Sequence, residues 1–137
     1  MSLRPILLDT CAVLWSVGGG LSTEAEAAIA EAEEAGAAVM VSPMTAWEIG
    51  IMVSRGRIAL PISPHRWFAT LLDEGVLLAA LTPEILISSS FLPGEPLRDP
   101  ADRIIAATAR ENGYRLMTRD RPLLEFAQAG HMQAIAC

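Results

Sequence analysis

The stretch Asp99-Pro100-Ala101-Asp102-Arg103-Ile104-Ile105-Ala106-Ala107-Thr108-Ala109-Arg110-Glu111-Asn112-Gly113-Tyr114-Arg115-Leu116-Met117-Thr118-Arg119-Asp120 reads as a long helix feeding a short strand. Asp99 fits an N-cap, with Pro100 at the first helical position. Asn112-Gly113 supplies the stop, and Arg115 to Thr118 has the length and apolar centre of a buried strand. Two carboxylates, Asp102 and Asp120, flank this helix–strand step.

The same alternation extends to both ends of the chain. Ile6 to Leu8 is a first strand, followed by a brief helix from Thr10 to Val17 that Gly18-Gly19-Gly20 stops. Thr23 to Glu26 has the pattern of a capping box for a second helix, which Gly36 ends. Ala38 to Val41 is the second strand, and Ser42-Pro43 opens a helix carrying Trp47, Glu48 and Ile51. A connector from Gly56 to Pro64 leads to a helix from His65 to Asp73. Val76 to Leu81 is the third strand, Thr82-Pro83-Glu84 a further helix start, and Leu92 to Pro96 a loop. Beyond Thr118, Arg121 to Phe126 forms a short helix and Gln133 to Ala136 an edge strand. Strands alternating with helices imply a mainly parallel sheet covered on both faces, an α/β chain with three α/β/α layers. No repeat, linker or low-complexity segment divides it, so one domain over residues 1–137 is expected.

Composition narrows the class. At 137 residues and 52% hydrophobic content the chain can bury a core, and it is not of disordered type. No apolar run approaches the ~20 residues of a spanning helix. Asp9 interrupts Ile6-Leu7-Leu8 too early for a secretory signal, so a cytoplasmic location is expected. Cys11 and Cys137 lack the spacing of a zinc site or disulfide framework and read as free thiols. The net charge of −6 argues, taken alone, against a nucleic-acid partner. Much of that charge, however, lies on one solvated helix between Glu24 and Glu34. All ten basic residues are arginine, which suits phosphate contacts but also follows from coding bias.

Four acids stand in apolar company: Asp9, Glu48, Asp102 and Asp120. An unpaired carboxylate among apolar groups costs several kcal/mol. Three have simple structural roles open to them, since Asp9 and Asp120 suit helix caps and Asp102 suits the first turn of a helix. Glu48, in mid-helix between Trp47 and Ile49, does not. Ligands gather at the carboxyl ends of parallel strands, where Asp9 and Asp120 fall and which Glu48 and Asp102 can approach. Oxygen donors without histidine or thiolate partners select Mg²⁺ or Mn²⁺ over zinc or copper.

The segments Leu7-Leu8-Asp9-Thr10, Ser42 to Ile49, Arg98 to Ala109 and Met117-Thr118-Arg119-Asp120 together resemble the PIN-domain ribonucleases. Within them the chain is most similar to the VapC toxins of toxin–antitoxin pairs. Gly56-Arg57-Ile58-Ala59-Leu60-Pro61 and the Asp99 to Arg103 element point to one branch of these toxins. The resemblance runs from Ile6 to the C-terminus. It implies a PIN-like fold and Mg²⁺- or Mn²⁺-dependent endoribonuclease activity leaving 3′-hydroxyl and 5′-phosphate ends. It implies Asp9, Glu48, Asp102 and Asp120 as the metal-binding and catalytic acids, with a VapB-like antitoxin and a second copy of the chain as partners. Asp99 remains an N-cap with an outer role, and Thr10, Thr118 and Ser42 match small polar positions near the metal site. Arg103 and Arg119 are candidates for phosphate or carboxylate contact. Leu97 stands where relatives of this branch carry histidine, and His65 and His131 match no catalytic position. Two other readings stay open: an inert binding module of the same fold, and a receiver-like phosphoacceptor. The latter lacks its lysine and its paired acid here.

Overall fold

The computed structural model describes residues 3–94 and 97–137. Glu95 and Pro96, the end of the expected loop from Leu92, lie outside the described residues. The elements run β1 Ile6–Leu8, α1 Thr10–Gly18, α2 Thr23–Glu34, β2 Val39–Val41, α3 Pro43–Ser54, α4 Pro64–Asp73, β3 Leu77–Leu78, α5 Pro83–Ser88, α6 Pro100–Asn112, β4 Arg115–Thr118, α7 Arg121–Gln128 and β5 Gln133–Ala136. All five strands are parallel, in the order β3-β2-β1-β4-β5.

The period-2 alternation of a strand sends successive side chains to opposite faces, and the two cores follow it. Ile6 and Leu8 join a cluster with Ala12, Ala25, Ile49 and Trp67, on the side of α1 to α4. Leu7 joins Ile105, Ala106, Leu116, Leu123 and Phe126, on the side of α6 and α7. In β4, Met117 packs into the first cluster and Leu116 into the second. The centre of the sheet is therefore buried on both faces, which is why β1 is apolar throughout and β4 apolar at Leu116 and Met117, while the edge strands β3 and β5 stay partly exposed.

The strand order places the site. From β1 the chain adds β2 and then β3 outward on one side, then returns to add β4 and β5 on the other. The order reverses between β1 and β4, and the crevice at their carboxyl ends is where open α/β sheets bind ligands.

Two expectations need correction. The third strand spans only Leu77–Leu78, not Val76 to Leu81. Its partner β2 is itself three residues long, so the ladder has little to pair with beyond the Ala79 N–H to Val41 O bond of 2.8 Å. Helix α2 is capped by Ser22 rather than Thr23. The Ser22 hydroxyl accepts from the Ala25 N–H at 3.1 Å, which makes Thr23 the first helical residue and breaks the capping-box spacing. Among the described residues no helix is long and apolar enough to cross a membrane.

Candidate active site

Asp9, Asp99 and Asp120 all hold the capping positions that their sequence neighbours suggest. Asp9 Oδ1 accepts from the Ala12 N–H at 2.7 Å, Asp99 Oδ1 from the Ala101 N–H at 2.9 Å, and Asp120 Oδ2 from the Leu123 N–H at 3.2 Å. Capping does not use up these carboxylates. Asp9 is only 5% exposed and its second oxygen accepts from the Thr118 hydroxyl. Thr118 Oγ1 in turn accepts from the Asp120 N–H at 3.0 Å, so one buried threonine ties the end of β1 to the end of β4.

Glu48 is half-buried on α3 and faces α1. Its Oε1 accepts from the Thr10 hydroxyl at 2.6 Å, and Thr10 also meets the fully buried Thr45 at 3.0 Å. Thr45 was not anticipated from sequence; a hydroxyl at a helical position between apolar neighbours was the available signal. Asp102 stands in the first turn of α6. With Asp99, Asp120, Leu97, Arg98 and Pro122 it lines a cleft of about 390 Å³. Asp9 and Glu48 are not among its walls.

Electrostatics nevertheless link all of these acids. Burial pushes the Asp102 carboxyl up to about 7, and the charges of Asp120, Asp99, Glu48 and Asp9 add to the effect. Burial also raises Asp9, with Asp120 adding, against the hydrogen bonds from Thr118 and Ala12 and the Arg119 charge. Glu48 is raised by burial and by Asp99 and Asp9, opposed by its hydrogen bond from Thr10. Like charges that disfavour one another's ionisation are relieved by a proton or by a cation. Among the described residues no group of three or more acidic, histidine or cysteine side chains is placed to hold a metal ion together. The cleft itself carries the carboxylates of Asp99, Asp102 and Asp120, and that oxygen donor set fits an ion that keeps several waters and takes only one or two carboxylates directly.

Several other residues resolve into structural roles. Ser42 caps α3 by accepting from the Met44 N–H at 3.0 Å. Arg103 donates through Nε to the Leu97 carbonyl. Arg119 lies over the Trp15 ring at 4.5 Å and donates to the carbonyls of Cys137 at 3.1 Å and Gly20 at 3.3 Å. Arg103 and Arg119 are thus engaged with backbone, though the Arg119 charge still favours ionised Asp9. Both cysteines are free. Burial and the charges of Asp9, Glu48 and Asp120 push the Cys11 thiol up to about 11, so it stays protonated and a poor nucleophile. The tryptophans divide: Trp67 is core, whereas Trp47 is 57% exposed on α3 beside Glu48.

The PIN domain family model matches residues 6–129. The chain belongs to the PIN domain family. It is 35% identical over 123 residues to Ribonuclease VapC22 of Mycobacterium tuberculosis (strain ATCC 25618 / H37Rv), covering 88% of this chain and 91% of that one. That places it among the VapC-like members of the family. The fold matches VapBC2 from Rickettsia felis, solved bound to a promoter DNA fragment, with a TM-score of 0.70 at 12% identity over 96% of this chain and 98% of that one. It also matches DNA-bound VapBC from Salmonella typhimurium, with a TM-score of 0.65 at 16% identity over 98% of each chain. At such identities these two likenesses bear on the fold of the PIN domain alone.

Proposed function

We propose that this PIN domain is a Mg²⁺- or Mn²⁺-dependent endoribonuclease, the toxin of a toxin–antitoxin pair, acting through Asp9, Glu48, Asp102 and Asp120. The observation that carries this reading is that Thr118 ties Asp9 to Asp120 across the β1/β4 switch point, while Asp120 and Asp102 line one cleft. The name of the Mycobacterium tuberculosis relative supports RNA as the substrate.

When bound, the divalent ion supplies charge stabilisation to the oxygens of an in-line phosphoryl displacement. Asp9, Asp102 and Asp120 would hold it, directly or through water. Thr118 keeps Asp9 oriented and, by donating to it, favours its charged form. Glu48 commits Oε1 to Thr10 and leaves Oε2 to accept a proton from the attacking water. No protein nucleophile is needed.

The test is incubation of purified protein with single-stranded RNA and millimolar Mn²⁺ or Mg²⁺. Cleavage with 5′-phosphate ends, abolished by EDTA, is expected. Cutting that survives EDTA sinks the metal dependence, and absence of Mn²⁺ binding by calorimetry returns the inert module. Thr10→Val, nearly isosteric, should lower the rate about tenfold, the effect of losing an orienting partner. It should also move the acid limb of the pH–rate profile upward, because the Thr10 bond lowers the Glu48 pKa. An unmoved limb removes Glu48 from the proton transfer.

The VapBC composition of the structural neighbours supports a VapB-like antitoxin as partner. A basic side chain of such a partner would compete with the metal for the acidic cradle, and exposed Trp47 lies next to it. A homodimer is part of the same reading: Leu86, Ile87 and Phe91 are 42%, 64% and 79% exposed on and just after α5. Sedimentation equilibrium of the purified chain gives its mass.

A further inference from the structure

We propose that a groove leading from the acidic cleft along α7 to His131 seats one nucleobase of a single-stranded RNA and so selects the base beside the cut. This rests on the nuclease reading above and adds a specificity site to it.

Three cavities share walls in series. The acidic cleft shares two of its walls, Leu97 and Pro122, with a neighbouring cavity of about 490 Å³. That second cavity is closed by Phe126 and His131, with Glu125 on its wall. His131 is also a wall of a third cavity, about 420 Å³, which holds Arg4 and Arg110. Along the path the chemistry changes from carboxylate to apolar and aromatic, and then to guanidinium. A single strand of RNA presents a matching series: the phosphate to be cut, a base with two flat faces, and the next phosphate.

The middle cavity is built around a supported ring. His131 lies 4.9 Å from Phe126 at an interplanar angle of 41°, and Phe126 is buried in the second core. The backbone holds His131 from both sides: its N–H donates to the Phe126 carbonyl at 3.3 Å, and its carbonyl accepts from Arg110 Nη1 at 2.6 Å. Gly94 lies against the ring edge with φ of 75°, a left-handed conformation suited to glycine; a Cβ there would fall 2.6 Å from His131 Nε2. A heteroaromatic ring fixed in an apolar cavity of this size suits base stacking, which is the sequence-tolerant part of single-strand recognition. Glu125 adds selectivity, since a carboxylate accepts from the exocyclic amino groups of adenine, cytosine or guanine, whereas uracil has no amino group and offers only its N3–H between two carbonyl acceptors. The charge pattern agrees with this occupant: in a chain of net charge −6, the far cavity carries two guanidinium groups, Arg4 and Arg110, against one carboxylate, Glu111, whereas the near cleft carries three carboxylates against Arg98.

The test compares cleavage of RNA oligonucleotides carrying each of the four bases at the positions flanking the cut. His131→Ala removes the stacking ring, Ala129→Met fills the cavity from an exposed position on its wall, and Glu125→Gln removes the charge. His65→Ala, on exposed α4 surface, is the control. His131→Ala and Ala129→Met are expected to raise KM about tenfold, with a smaller change in kcat, and to flatten the base preference. Glu125→Gln is expected to lose discrimination against uracil. The inference is overturned if wild type cuts RNA and the folded variants keep its KM and base preference. Should His131→Ala not fold, Ala129→Met decides. If wild type cuts nothing, the nuclease reading fails, and fluorescence anisotropy with the same labelled oligonucleotides judges the groove separately. Weaker binding by both groove variants upholds it, and equal or undetectable binding overturns it.

Discussion

Asp9→Asn is expected to slow RNA cleavage by about a thousandfold or more while leaving the fold in place. The two halves of that expectation come from different atoms of one side chain. The capping oxygen survives the substitution, because an asparagine carbonyl accepts from the Ala12 N–H as the carboxylate does. The other oxygen becomes an amide nitrogen facing Thr118, whose hydroxyl can rotate from donor to acceptor. Both contacts of the side chain therefore persist, the second with its direction reversed; the charge is lost and the Thr118 hydroxyl proton gives up its acceptor. A cation held as proposed would lose its most deeply buried carboxylate, at the point where β1 and β4 meet. Far-ultraviolet circular dichroism should match the wild type, and Mn²⁺ affinity by calorimetry should fall with the rate. A variant that cuts RNA at the wild-type rate would remove Asp9 from the site.

How far sequence led to this site varies residue by residue. Asp9, Asp102 and Asp120 are local features, each tied to the end of a strand or the start of a helix, and capping rules place them within a residue. Thr118, Thr10 and Ser42 were legible only as small polar positions. That Thr118 bridges Asp9 and Asp120, while Ser42 merely caps α3, depends on which strands lie side by side. Strand order is a non-local property, and the reversal between β1 and β4 could not be read from the alternation of elements. The same limit affects β3, where an apolar run gives no sign that its neighbour ends at Val41. From sequence Arg119 is a candidate for phosphate or carboxylate contact, and its charge does favour ionised Asp9. Its Trp15, Gly20 and Cys137 partners are distant in sequence, and they turn it into a strap between the α1 end and the C-terminus. His131 was passed over for the same reason, since neither Phe126 nor Gly94 identifies it as a wall until the chain folds.

The second large effect concerns stability. Asp102 titrates at about 7 in the folded chain against an ordinary value of 3.8, and Asp9 and Glu48 shift in the same direction. Between those values the folded protein binds a proton that the unfolded chain does not. Stability without metal must therefore rise as pH falls from 8 toward 5, and decline as pH rises through 7. Asp102→Asn removes the largest charged contributor and should raise the melting temperature of the metal-free protein at pH 8 by about 4 °C. That corresponds to ~1 kcal/mol after allowance for solvent screening of a half-exposed group. Mn²⁺ should produce the same stabilisation in the wild type at pH 8, by mass action on the folded state. Its effect should shrink at pH 5, where protons occupy the same oxygens, and shrink again in the Asp102→Asn variant. Scanning calorimetry with EDTA and with millimolar Mn²⁺ at both pH values separates these cases. A metal-free wild type more stable at pH 8 than at pH 5 contradicts the repulsive cradle itself. If the cradle is repulsive but Mn²⁺ has no effect at pH 8, the acids converge for some purpose other than binding a divalent ion.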